Sequence, residues 1–329
     1  MRAFVVVHDS NTSSAGVRVV DAASILVDGD VEVAVEWSCL NYKDAMVVRP
    51  ESPVARRSPL IGGVDAAGTV VDSRNPAIAV GAHVVAHGHG FGTSHHGGFA
   101  ARLRCDASWL TVLPDGIDVR TSMVYGTAGY TAMASVLALE LAGVRSDGGE
   151  ILVTGASGGV GSVAVALLAA RGYDVTAMTG KPEEAGHLEA IGAARVVGRD
   201  VLDDRAGRVL GAERFAGAVD CVGGTALAGV LRMIRWGGAV AASGLVGGAR
   251  LDTTVYPFIT RNVALLGIDS VVAPPAVRTS VWRALDGGLD RAGVEALVTR
   301  EVGLDGIAAG LAELERGAAR GRILVDPSR

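Results

Sequence analysis

The stretch Glu150-Ile151-Leu152-Val153-Thr154-Gly155-Ala156-Ser157-Gly158-Gly159-Val160-Gly161-Ser162 decides the fold of this chain. Ile151 to Thr154 is a short apolar run of the kind that fills a strand buried on both faces. Glycine holds four of the next seven positions, and 162–171 continue as an almost wholly apolar helical segment. Glycines at such a turn let the backbone approach a pyrophosphate with no Cβ in the way. The helix start behind them offers unpaired N–H groups and a partial positive charge to that anion. A glycine pattern alone is weak evidence. A strand before it and a helix after it are the context that marks a dinucleotide-binding unit.

Outward from this unit the pattern alternates. Residues 173–178 read as a second strand, 182–191 as a helix with Pro182 in its first turn, and 194–197 as a third strand. A fourth strand at 216–222, a helix at 225–234, and strands at 238–243 and 263–268 follow. That alternation predicts an α/β fold with a Rossmann doubly wound parallel sheet. Upstream, 3–8, 31–37, 68–72, 83–87 and 99–105 are short strand-like runs between Gly, Asp, Asn and Pro. Helical periodicity starts near Tyr130, with 131–141. From Val298 the tail reads as strand, helix and a last strand at 322–325, which would complete the N-terminal domain. The expected division is therefore 1–123 with 297–329 as a β-rich catalytic domain, and 124–296 as the dinucleotide-binding domain.

Bulk properties narrow the class. The 329 residues leave room for two cores, and a net charge of −5 with dispersed basic residues shows no nucleic-acid surface. Cys39, Cys105 and Cys221 are scattered, which fits a reduced cytoplasm rather than a disulfide framework. The apolar run at the N-terminus is too short for a signal peptide, and no segment has the length of a membrane span. Lysine occurs only at Lys43 and Lys181, although Lys and Arg together number 30. Both lysines fall inside motifs treated below.

Two dehydrogenase families contend. Thr154 to Gly161 also satisfies the TGxxxGxG pattern of short-chain dehydrogenases, but that motif opens its chain and here about 150 residues precede it. No lysine follows Lys181 to form the catalytic Tyr-x-x-x-Lys pair. The chain instead resembles the medium-chain dehydrogenase/reductase superfamily. The stretches that carry the likeness begin with Trp37-Ser38-Cys39-Leu40-Asn41-Tyr42-Lys43-Asp44, Gly63-Val64-Asp65-Ala66-Ala67-Gly68 and Gly126-Thr127-Ala128-Gly129-Tyr130-Thr131-Ala132. Val153 to Ser162, Gly244-Leu245-Val246-Gly247-Gly248, Pro257-Phe258-Ile259 and Leu266-Gly267-Ile268-Asp269-Ser270-Val271 extend it along essentially the whole chain. Together they are most similar to the quinone-oxidoreductase-like branch and, within it, to the NADPH-dependent acryloyl-CoA reductases. The resemblance implies a GroES-like catalytic domain beside the Rossmann domain, and a homodimer in which 263–268 extend the sheet into the partner.

The metal expectation is none. Zinc members of the superfamily carry Gly-His-Glu where this chain has Gly63-Val64-Asp65, and three dispersed cysteines cannot build a four-cysteine structural lobe. His83, His87, His89, His95 and His96 are a counter-signal, but no carboxylate or cysteine lies among them between Ala82 and Ala101. Histidines of a loop near the substrate are the alternative account.

The cofactor expectation is NADPH. NAD-preferring folds place an acid at the end of the second strand, whereas this chain has Met178-Thr179-Gly180-Lys181 with no acid before Glu183. A hydroxyl and a cation suit a 2′-phosphate, which a carboxylate would repel. The resemblance adds Arg199 as a second phosphate contact. Against this, Lys181 and Arg199 also read as ordinary solvated charges. The glycine turn supplies Ala156, Ser157, Gly158, Gly159 and Val160. By resemblance alone, Tyr42, Thr127, Thr131, Leu245, Ile259, Ser270 and Val271 join the cofactor contacts.

With no metal and no nucleophilic triad, the chemistry left for such an enzyme is reduction of an activated double bond. The enolate oxygen that develops needs hydrogen-bond donors and the α-carbon needs a proton. Asn41, Tyr42 and Asp44, which the resemblance places at the cleft, are the candidate catalytic residues, with Lys43 beside them. Tyr42 is open to two roles, proton donor or partner of the nicotinamide ribose, and to a third as plain wall. Lys43 and Asp44 are open to pairing with each other. The family's usual Pro-Gly-Ile-Asp-Phe is replaced by Gly62-Gly63-Val64-Asp65-Ala66, which implies a reshaped pocket wall. Arg49, Arg56 and Arg57 read as a solvated basic loop or as contacts to CoA phosphates. The expected reaction is zinc-independent reduction of a short enoyl-CoA, acryloyl-CoA to propanoyl-CoA. The rivals are an NADPH:quinone or general enone reductase and a non-catalytic NADPH-binding sensor.

Overall fold

A computed structural model describes residues 1–9, 12–202 and 209–329. The chain folds as two compact units. The first holds Met1–Ala128, Ser270–Asp286 and Val298–Arg329, and the second Gly129–Asp269 and Gly287–Leu297.

In the first unit, Arg2–Asp9 (β1) pairs antiparallel with Thr12–Val19 (β2), and a short helix, Ala22–Ile25 (α1), follows. Val31–Cys39 (β3) leads into Tyr42–Val47 (α2), and Leu60–Ile61 (β4) pairs back onto β1. Asp65–Ser73 (β5), His83–His87 (β6), Arg102–Cys105 (β7) and Leu110–Val112 (β8) complete this part. The strand β5 lies between β3 and β6, and β7 pairs with β3. Inward-facing Val31, Val33 and Val35 alternate with more exposed neighbours, as a half-buried antiparallel strand requires. Val119–Leu141 (α3) begins in this unit and continues into the second, broken at Gly126 where φ is 51°.

The second unit is a parallel sheet. Ile151–Thr154 (β9) runs through the glycine turn into Gly159–Ala170 (α4), then Val175–Met178 (β10), Ala185–Ala190 (α5) and Arg195–Val197 (β11). Phe215–Asp220 (β12), Gly224–Met233 (α6), Ile234–Ala242 (β13), Tyr256–Arg261 (α7) and Ala264–Gly267 (β14) follow. The strand order is β11-β10-β9-β12-β13-β14, all parallel. Chain direction across the sheet therefore reverses between β9 and β12, the switch point at which such sheets bind ligands beyond the strands' carboxyl ends. All four residues of β9 are buried, and α4 buries Gly161 to Leu168. Each fully buried Val or Leu there contributes about 1.5–3 kcal/mol.

The rest of the chain completes both units. Pro275–Leu285 (α8) returns to the first unit and Arg291–Leu297 (α9) to the second. Val298–Gly303 (β15), Ile307–Glu315 (α10) and Arg322–Asp326 (β16) then close the first, with β16 between β15 and β3. The helix α10 packs against α2 over a core of Phe4, Leu40, Ala45, Phe99, Ile307 and Leu311. So the tail holds the loop-to-helix turn of 40–47 in place from behind.

The α/β class, the doubly wound sheet and the β-rich first domain are as the sequence predicts. Boundaries differ in several places. The helix expected at 182–191 is a 3₁₀ turn at Pro182–Glu184 followed by α5. The helix expected at 131–141 begins at Val119. Of 99–105 only Arg102–Cys105 is a strand, because Phe99 bonds instead to Phe4 and Gly62 through its backbone.

Candidate functional site

In the second unit the glycine turn is built around close backbone approach. A Cβ on Gly161 would lie 2.3 Å from the carbonyl oxygen of Gly155 and 2.7 Å from the Cα of Ala156. Any side chain there would push α4 off the turn. Gly158 is the N-cap, and no side chain caps the helix start, so the first N–H groups of α4 are presented without a competing oxygen. Gly159 and Val160 form its first turn, and Ala156 is buried.

Met178 and Thr179 are buried at the end of β10. The hydroxyls of Ser157 and Thr179 lie 3.1 Å apart, and the Lys181 N–H donates to Thr179 Oγ1 at 3.1 Å. Beside them is a hollow of about 460 Å³ lined by Thr179, Gly180, Pro182, Ala185, Val196, Val197, Gly198 and Arg199. The Arg199 guanidinium lies against Gly180, close enough that a Cβ there would sit 2.9 Å from Nη2. Among the described residues, none of those lining this hollow is a carboxylate. The structure thus brings together Ser157, Met178, Thr179, Gly180 and Arg199, from three separate strand ends. It suits an adenosine ribose that carries an extra phosphate.

Other residues named from the sequence lie further along the same unit. Leu245 is on the glycine loop after β13, close to Gly223, and Ile259 is on α7; both are exposed. Thr131 is buried on α3, where its carbonyl accepts from Ser135 Oγ at 2.7 Å. At the end of β12, Asp220 accepts from Thr154 Oγ1 at 2.7 Å and from the Gly223 N–H at 2.7 Å. Burial pushes its carboxyl above the usual range. These bonds join the carboxyl ends of β9 and β12 at the switch point.

The first unit contributes a second cluster. Asn41 caps α2, and its backbone N–H donates to Asp44 Oδ2 at 2.8 Å in a capping box. Asp44 Oδ1 accepts the Val64 N–H at 2.9 Å. Asp44 is therefore held by two backbone donors rather than by Lys43. Its burial, reinforced by the Asp65 charge and opposed by these bonds, raises its pKa to about 7. Tyr42 stands apart from this network. It is 36% exposed, and its hydroxyl accepts from Arg49 Nη2 at 3.4 Å while Arg49 also pairs with Glu315 at 2.9 Å.

Sequence reasoning did not single out the residue at the centre. Asp65, wholly buried at the start of β5, accepts from Asn41 Nδ2 at 2.9 Å, the Thr127 N–H at 2.8 Å, the Thr127 hydroxyl and Cys39 Sγ at 3.1 Å. Arg322, equally buried on β16, donates to Cys39 Sγ at 2.9 Å and to the Val124 carbonyl at 2.8 Å. A Cβ on Gly126 would fall 2.5 Å from Asp65 Oδ2 and 3.0 Å from Arg322 Nη2, in a backbone conformation that favours glycine. The Gly126-Thr127 dipeptide was visible in the sequence. That Asp65, 62 positions before Thr127, and Arg322, 198 after Val124, meet beside it was not.

The backbone of Ser270 and Val271 lies against Gly88, just after β6. The Val271 carbonyl accepts from the His89 N–H at 3.1 Å and from Arg278 Nη2 at 3.1 Å. Buried Arg278 and Trp282 also bond to the His87 ring, and burial, with the Arg278 cation, lowers the His87 pKa to about 3. The other histidines of that run disperse. His96 Nδ1 accepts the Ile61 N–H at 3.0 Å, His95 Nδ1 is 2.8 Å from the His96 carbonyl, and His89 stacks on Trp109. Among the described residues no group of three or more His, Cys, Asp or Glu is arranged to hold a metal ion. Among them, too, no helix is long and apolar enough to cross a membrane.

Comparison with known proteins matches this geometry to a family. The model for the alcohol dehydrogenase GroES-like domain matches residues 27–115, and that for zinc-binding dehydrogenases matches 159–286. A probable acrylyl-CoA reductase, AcuI, of Escherichia coli is 47% identical over 87% of each chain. The acrylyl-CoA reductase AcuI of Ruegeria pomeroyi is 43% identical, covering 97% of this chain and 96% of that one. A putative quinone oxidoreductase of Bacillus subtilis, YhfP, is 42% identical over 95% and 94%. Among solved structures, the YhdH oxidoreductase of Salmonella enterica in complex with NADP superposes with a TM-score of 0.95 at 43% identity, covering 99% of each chain. Bacillus subtilis YhfP with NAD bound gives 0.95 at 41%, over 99% of this chain and 98% of that one.

Proposed function

This chain belongs to the medium-chain dehydrogenase/reductase superfamily, and from that premise we propose that it reduces the activated C=C bond of a short α,β-unsaturated acyl-CoA with NADPH, without zinc. Acryloyl-CoA, reduced to propanoyl-CoA, is the substrate the reading favours, supported by two relatives bearing that activity in their names. The observation that carries the choice of cofactor is the hollow beside Thr179, Gly180 and Arg199. It offers a cation and a hydroxyl and, among the described residues that line it, no carboxylate, the donor set of a 2′-phosphate rather than of a free ribose diol. Lys181 is the second cation in this reading. The glycine turn and the open start of α4 hold the pyrophosphate, and Thr127, Thr131, Leu245, Ile259, Ser270 and Val271 contact the rest of the cofactor.

Bound NADPH supplies the hydride that goes to the β-carbon. What this chain's residues contribute is placement and protons. The Asn41 amide orients substrate or nicotinamide. Tyr42, whose hydroxyl already meets the Arg49 cation, bonds the ribose or gives the α-carbon its proton. Asp44 holds the first turn of α2 from which both project. The reading assigns 124–296 to cofactor binding and 1–123 with 297–329 to the substrate. It also makes the protein a homodimer, formed along the edge strand β14, where Leu265 is 37% and nearby Ile259 on α7 is 72% exposed.

The likeness to a putative quinone oxidoreductase supports a second reading, reduction of quinones or free enones. One experiment separates them: following NADPH absorbance with acryloyl-CoA, crotonyl-CoA and a simple quinone, beside an NADH control. Rapid NADPH-selective turnover of acryloyl-CoA is expected. Turnover of the quinone alone would move the function to the second reading, and cofactor binding with no turnover would leave a sensor.

A further inference from the structure

We infer that Asp65 is a positioning residue whose carboxylate fixes the Asn41 amide and the Thr127 hydroxyl together. The inference rests on the reading that Asn41 and Thr127 face the substrate and the nicotinamide. An ionised carboxylate only accepts, so every group around it must turn a hydrogen toward it. Asn41 therefore points Nδ2 at Asp65 Oδ2, 2.9 Å away, and the orientation of its amide is set. Thr127 is held twice, by its N–H to Oδ2 at 2.8 Å and by its hydroxyl to Oδ1. One side chain thus dictates the rotamers of two residues that are 86 positions apart.

Stability alone does not account for a carboxylate at this place. Asp65 is wholly buried, and a buried anion costs more than an apolar side chain of similar size unless it is bonded on all sides. The fold meets that cost with elements from across the first unit: Cys39 at the end of β3, Asn41 before α2 and Thr127 just after the Gly126 break in α3 donate to Asp65, and Arg322 on β16 donates to Cys39. Asn41 is fixed a second time through its backbone by Asp44. Polar groups gathered in this way around two residues of the site mark preorganisation.

The test is Asp65→Asn, which keeps the shape and sets an N–H against the donors of Asn41 or Thr127. We expect kcat/KM to fall by roughly tenfold or more. The discriminating readout is a double-mutant cycle. In an Asn41→Ala, Thr127→Val background, Asp65→Asn is expected to cost less than about twofold, because the groups it places are gone. A loss of the same factor in both backgrounds, or wild-type kcat/KM in Asp65→Asn itself, overturns the inference. Should Asp65→Asn not fold, Asn41→Ala and Thr127→Val decide it: losses that combine to less than their product sustain the shared anchor, and strict multiplication overturns it. If the wild-type protein turns over no acceptor, the reaction as read has failed. NADPH affinity by fluorescence then decides the inference. A Kd raised by Asp65→Asn, but not when Thr127 is already Val, sustains it, and an unchanged Kd overturns it.

Discussion

Single residues here act through what they are bonded to. Asp44 is the clearest case for pH. Its folded pKa, about 7, lies above the unfolded value of 3.8, so the folded state keeps a proton that the unfolded chain has released between the two. The stability this represents is full below the unfolded value and is lost as pH rises through about 7; by linkage it is on the order of 4 kcal/mol. His87 works in the other direction, with a folded pKa of about 3 against 6.5, so its contribution disappears as pH falls. Asp44→Asn leaves His87 in place. Its unfolding free energy should therefore rise with pH more steeply than that of wild type between about pH 4 and 7, read from urea melts, and identical slopes would contradict the assignment. Arg199 makes a prediction about cofactor choice. Removing a charge-assisted contact to a phosphate costs roughly 1.5–3 kcal/mol, so Arg199→Ser should raise the KM for NADPH about ten- to a hundredfold and leave that for NADH nearly unchanged. Equal effects on both cofactors would show that Arg199 is an ordinary surface charge.

At the scale of elements, the β9–α4 turn tolerates little change. Its close contact is backbone on backbone, so nothing can yield when Gly161 gains a side chain. Gly161→Val should lose measurable NADPH binding, and thermal melting should report a destabilisation of about 1–3 kcal/mol. A variant that binds NADPH normally would mean the helix start plays no part. Strands buried on both faces were the plainest in the sequence, since an unbroken apolar run such as Ile151 to Thr154 admits few other uses. The strand β2 was not legible, because Thr12–Val19 lies at a sheet edge with few buried side chains and carries no alternation. The start of α3 was hidden by Gly126, a residue that reads as a helix breaker and is here a bend inside the helix.

At the scale of the whole molecule, the sheet of the second unit ends at β14, which pairs on one side with β13 and, among the described residues, with no strand on the other. Its residues alternate between half-buried and exposed, and Val255, Tyr256 and Ile259 are exposed on and beside α7. An edge like this is a template for pairing with another chain. Light scattering should therefore give twice 33.4 kDa for the wild-type protein. Leu265→Asp, a charge on that edge, should return the monomer mass; an unchanged mass would place the interface elsewhere, and a monomeric wild type would remove it.

By itself the sequence determined what local pattern can encode: the parallel sheet, the glycine turn, the family and the class of cofactor. Each rests on residues close together in the chain, where periodicity and turn chemistry act. Only the tertiary structure decided the middle of the candidate site. It placed Asn41, Thr127 and Cys39 around the buried carboxylate of Asp65, with Arg322 bonded to Cys39 behind it. No spacing announces that arrangement, because β3, β5, α3 and β16 meet only when the sheet and the core beneath it have formed. Burial then gives a carboxylate its meaning, since the same Asp65 in water would be one more surface charge.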